Sequence, residues 1–109
     1  MTKTLFLKLY HDAQAQPDRE IYIVEFGYPD YFDEISKDPD EIVKKLTEIH
    51  RVAQMSMAGV IKASGLGASK FARFFDIPLH TVQNWLYGAR PCPDYIKLMT
   101  AELLGLISY

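Results

Sequence analysis

From residue 38 onward the chain repeats one pattern, apolar residues at helical spacing cut into short lengths by glycine and proline. Proline has no N–H to donate inside a helix and glycine readily takes the left-handed cap conformation, so each marks a helix end. Such a chain is restricted to a stack of short helices. In "DPDEIVKKLTEIHRVAQ", Asp38 stands at the N-cap, Pro39 at the first helical position, and Ile42, Leu46, Ile49 and Ala53 share one face. Ser56 is placed to cap "MAGVIKAS", whose Met57, Val60 and Ile61 point inward until Gly65; these two helices could also run on as one rod. "ASKFARFF" follows, with Phe71, Ala72 and Phe75 on one side and Ser69, Lys70 and Arg73 on the other. "DIP" interrupts it, and the next helix spans Leu79 to Tyr87, where Gly88 supplies the cap and Pro91 prevents continuation. The last helix starts near Pro93 and Asp94. It carries Tyr95, Ile96, Leu98, Met99, Leu103, Leu104, Leu106 and Ile107, a wider apolar surface than one core contact needs.

Residues 1–37 are ambiguous, because "TLFLKLY" and "EIYIVEF" are rich in β-branched and aromatic residues yet also fit helical spacing, as Leu5, Leu9 and Ala13 do. A β-hairpin in residues 4–26 competes with helices. Two strands alone are marginally stable, and every clearer element is helical, so helices are expected. Tyr28, Tyr31 and Phe32 are expected to pack the N-terminal helices onto the rest. The expected fold is therefore all-α: an N-terminal helical extension, 1–55, for dimerisation or effector binding, and a second region, 56–109, packed with it as one compact unit.

With 109 residues the chain suits a single domain with a modest core. No apolar run approaches the roughly 20 residues of a membrane span, and "MTKTLFLKLYHD" lacks a secretory cleavage region, so a soluble cytoplasmic protein is expected. Cys92 is the only cysteine, and His11, His50 and His80 are scattered singly, so neither a disulfide, a metal site nor a cofactor is expected. Residues 1–55 carry seven bases against eleven acids, whereas residues 56–109 carry five bases against three acids. That asymmetry fits an anion-facing C-terminal half, although the surplus is small for a DNA-binding domain.

The segment "HTVQNWLYGARP" is the richest in chemistry. On a helical wheel Val82, Trp85 and Leu86 fall together, while His80, Gln83, Asn84 and Tyr87 form the opposite stripe. Surface helices ordinarily place Lys and Glu outward, and this stripe has neither. Asn and Gln each present a donor beside an acceptor, the pattern that matches adenine in the major groove. The plainer interpretation of such a stripe is a hydrated surface. What favours DNA is the preceding helix and turn: Ala72 is small where two helices could cross, Ile77 can plug the corner, and Asp76 sits where a left-handed residue is wanted, the arrangement of a helix-turn-helix.

Read without gaps from Ala68 to Gly88, these residues resemble the DNA-binding domains of the lambda repressor and Cro (Xre-like) class. The shared positions are Phe71, Ala72, Phe75, Ile77, Val82 and Trp85 as the motif core, with Gly88 after it; "YGARP" is similar to the exit of that class. The resemblance covers about residues 56–107. It implies that the helix from Leu79 to Tyr87 lies in the major groove of double-stranded DNA, with base-facing roles for Leu79, His80, Gln83, Asn84 and Tyr87. It also implies phosphate contacts from Ser69, Lys70 and Arg90, and a homodimer reading paired half-sites, held together by the Leu-rich C-terminal helix or the acidic N-terminal half. Three positions depart from the class. Ala68 replaces the usual Gln, Asp76 replaces the usual Gly of the turn, and Pro78 replaces a Ser or Thr cap worth about 1 kcal/mol.

Other readings are weaker. "SGLGASK" has the outline of a phosphate loop but no preceding strand. Cys92 lies between prolines without a nearby base, His50 is expected to be a partly buried surface residue, and the acids at Asp33, Glu34, Asp40 and Glu41 sit at helix starts where they favour the helix dipole. No enzyme is expected. A protein-interaction module built on the same scaffold is the alternative function.

Overall fold

The computed structural model describes residues 1–26 and 38–108, with the backbone alone for Phe26. Seven helices occur among them: α1 (Lys3–Ala15), α2 (Arg19–Phe26), α3 (Pro39–Gln54), α4 (Met57–Ala63), α5 (Ala68–Phe75), α6 (Leu79–Leu86) and α7 (Asp94–Leu103). The chain is all-α among the described residues, and the hairpin is ruled out, because residues 4–26 form α1 and α2. Tyr28, Tyr31, Phe32, Asp33 and Glu34 lie outside the described residues. No described helix is long and apolar enough to cross a membrane.

The described residues divide into two compact units, one of Met1–Gln54 joined by the end of the chain from Ile107, the other of Met55–Leu106. In the first unit α1 and α2 pack against each other and both against α3. Thr2 caps α1 by accepting from the Leu5 N–H at 3.2 Å, and Leu5, Phe6, Leu9, Tyr10 and Ala13 form its buried face. Asp18 caps α2 by accepting from the Ile21 N–H at 3.0 Å. On α3 the buried face is Ile42, Leu46, Ile49, His50, Val52 and Ala53, and the Asp38 carboxylate accepts from the Asp40 N–H at its start. Side chains of α3 satisfy carbonyls that the end of α1 would leave without partners. Gln54 donates to the Ala13 carbonyl at 2.7 Å, and His50 Nε2 donates to the Gln16 carbonyl at 2.8 Å. His50 is thus a buried structural group, not a surface one. The fully buried Tyr22 stacks on it with ring centroids 5.3 Å apart and donates to the Leu9 carbonyl at 2.9 Å. The chain end is tied back to α3, with Lys45 donating to the Ser108 carbonyl at 2.6 Å and the Ser108 N–H to Glu48 at 3.0 Å.

The second unit begins where Ser56 caps α4, its hydroxyl accepting from the Gly59 N–H at 3.0 Å. Residues 55 and 56 are not helical, so α3 and α4 are separate helices and not one rod. Met57, Val60 and Ile61 are buried, with α6 and α7 both packed against α4, and α6 also against α5. Lys97 of α7 is buried too. Its ammonium donates to the Met55 carbonyl at 3.0 Å and lies 3.8 Å from Asp94.

Candidate nucleic-acid interface

The two eight-residue helices α5 and α6 are joined by Asp76, Ile77 and Pro78. The joint is built from backbone geometry. Asp76 adopts φ 54° and ψ 47°, which turns the Ile77 N–H back to the Ala72 carbonyl at 2.8 Å and the Asp76 N–H to the Arg73 carbonyl at 3.4 Å. This is the Schellman ending, normally given to glycine; aspartate is among the few side-chain-bearing residues that enter the left-handed region readily. Pro78 then takes φ −56° and ψ 136° as the N-cap of α6, without a side-chain capping bond. Its carbonyl starts the helix by accepting from the Thr81 and Val82 N–H groups.

Leu79, His80, Gln83 and Tyr87 are exposed, Tyr87 at 82 % and Leu79 at 40 %. Asn84 is half-buried at the margin of that stripe. The helix ends at Leu86, one residue before the expected limit, and Tyr87 sits beyond it at φ −95° and ψ 2°. Gly88, at φ 72°, then lets the chain fold back so that the Ala89 and Arg90 N–H groups both point at the Asn84 carbonyl, at 2.9 and 3.4 Å. That fold-back holds the exposed Arg90 just past the end of α6. Ser69 and Lys70 are exposed in the first turn of α5, whose N-cap Gly67 offers no side chain.

Beneath this surface the expected core is only half enclosed. Phe71, Ala72 and Val82 are buried, but Phe75, Ile77 and Trp85 are half-buried, which corrects their placement as core residues. Helices of two turns each cannot surround a side chain as large as tryptophan, which is rarely fully enclosed even in larger cores. Phe75 lies at the end of α5, against Phe71 at 4.7 Å and edge-on to Phe74 at 4.8 Å. Phe74, which has no place in the expected core or base-facing row, is 62 % exposed. Its position four residues after Lys70 puts it on the polar side of α5, and that spacing could have revealed it.

Electrostatics in this unit also differ from the residue count. Lys97 is buried on the Met55 carbonyl, and burial lowers its pKa, Asp94 acting in the opposite sense. The exposed bases of the unit are then Lys62, Lys70, Arg73 and Arg90, against the exposed acids Asp76, Asp94 and Glu102. Cys92 is a protonated thiol at neutral pH, pushed up to about 11 mainly by burial, with Lys97 opposing and Asp94 adding to the shift. A thiol in that state is a poor nucleophile. Compared with protein-family models, with curated proteins and with solved structures, the chain matches none.

Proposed function

We propose that the chain is a sequence-specific double-stranded DNA-binding protein, a cytoplasmic transcriptional regulator of the repressor type, which uses α5 and α6 as a helix-turn-helix of the lambda repressor and Cro (Xre-like) kind. One observation carries this reading. The solvent-facing side of α6 is a row of side chains suited to base edges, Leu79, His80 and Gln83 with Asn84 at its margin and Tyr87 just past its end, in place of the Lys and Glu of an ordinary surface helix. In this reading Ser69 and Lys70 at the start of α5, and Arg90 after α6, hold phosphates and set the register of the helix on the duplex. With so few positive groups a single copy gains little affinity, so the working form is a homodimer reading two half-sites one helical turn apart.

The alternative, a protein-interaction module on the same scaffold, is favoured by the burial of Lys97, which leaves the unit with nearly balanced exposed charge. Selection from random duplexes, followed by titrations at several salt concentrations, separates the two. DNA binding predicts an enriched sequence whose affinity falls steeply as salt rises. No enriched sequence, with binding indifferent to salt, would overturn the DNA-binding reading and favour the protein-interaction module.

A further inference from the structure

Resting on the DNA-binding reading above, we infer that the half-site taken by α6 is built on A·T pairs, with an adenine read by the amide of Gln83 or Asn84 and a thymine methyl packed on Leu79. The residue types on α6 point there first. The helix from Leu79 to Leu86 holds no Arg or Lys, the residues that most often read guanine through O6 and N7, and no Asp or Glu to accept from the cytosine amino group. A G·C pair facing this helix meets neither of its usual partners. The amides have the donor and acceptor pattern that pairs with adenine N6 and N7.

Leu79 supplies the second half of the inference. It is the first residue of α6, in the N-terminal turn that reaches base edges in proteins of this architecture, and it stays 40 % exposed. An aliphatic side chain there has no polar atom to offer. The one apolar group on the major-groove edge of a base pair is the C5 methyl of thymine. Gln83 and Asn84 follow Leu79 by four and five residues, about 6 to 7.5 Å along the helix, and stacked base pairs are about 3.4 Å apart. The thymine and the adenine therefore lie within about two base pairs of each other.

The test uses the full chain and a library of duplexes with a random core. The enriched duplex is then synthesised with deoxyuridine replacing one thymine at a time, which deletes only the methyl, and with 7-deazaadenine replacing one adenine at a time, which removes N7. The expected result is a core of neighbouring A·T pairs. One thymine replacement should weaken binding about fourfold, the value of one buried methyl group, and one adenine replacement at least fivefold. Leu79→Ala, with an unchanged circular dichroism spectrum, should no longer distinguish thymine from uracil. An enriched G·C core, or affinity indifferent to every uracil, would overturn the inference and leave the DNA-binding reading standing. No enrichment at any salt concentration would remove both.

Discussion

Among the described residues Asp76 alone of the non-glycines has a positive φ, so the joint between α5 and α6 depends on what one side chain tolerates. A β-branched residue cannot enter that region cheaply. Asp76→Val should lower the stability measured by urea unfolding by about 1–3 kcal/mol, whereas Asp76→Asn should leave it nearly unchanged. Two other substitutions divide the proposed roles at the DNA surface. Asn84→Ala should cost roughly 1–3 kcal/mol for the preferred site and blur base preference, while Lys70→Ala should weaken every duplex alike and reduce the salt slope by about one, both read from titrations. Cys92 gives a test that is independent of DNA. With its pKa raised from 9.0 to about 11, its alkylation by iodoacetamide at pH 8 should run roughly tenfold or more slower in the folded chain than in denaturant. The folded chain keeps this proton longer than the unfolded one, so its contribution to stability is full below pH 9.0 and disappears as pH rises to about 11. Lys97, lowered by burial from 10.5, acts in the opposite direction, its penalty fading as pH rises through the alkaline range.

At the scale of elements, short helices depend on their ends. A seven-residue helix such as α4 has few internal hydrogen bonds relative to its unpaired terminal groups, so caps and packing carry it. Ser56 caps it through its hydroxyl, and Ser56→Ala should cost about 1 kcal/mol in urea unfolding, with Ser56→Asp restoring most of it. Neither α5 nor α6 has a side-chain cap. Both are therefore held by their packing, α5 with Phe71 and Ala72 buried, α6 with Val82 buried and the helix packed against α4 and α5. The exposed row on α6 is positioned by that packing, which explains how an eight-residue helix with polar residues on its outer face stays formed.

For the whole molecule the proposed function requires two copies on one duplex. The exposed bases of the Met55–Leu106 unit, Lys62, Lys70, Arg73 and Arg90, are too few for tight binding by one. Sedimentation of the protein with its selected duplex should show two chains per duplex, and halving the site should lower affinity by well over tenfold. The other unit has its own core, centred on Leu9, Tyr10, Tyr22, Leu46 and Ile49. Its polar links, Gln54 to Ala13 and His50 to Gln16, join segments far apart in the chain.

Local chemistry decided where helices start and stop. Asp38 and Ser56 cap as their residue types demand, Gly65 and Gly88 take positive φ, and Asp76 turns left-handed, because each of these choices acts within one turn of its own backbone. Which side chains are enclosed was decided by partners distant in sequence. Residues 4–26 suit strand or helix by pattern, and helix prevails where Leu5, Phe6, Leu9 and Tyr22 bury themselves with α3. The same reason removed Lys97 from the charged surface, enclosed His50, and left Trp85 half-open. The outward facing of His80 and Gln83 on α6 could be read from periodicity, since a helix only eight residues long with Val82 buried turns its opposite side to water, whereas the half-burial of Asn84 could not. How deeply each side chain sinks depends on the volume its neighbours leave, and only the folded arrangement sets that volume.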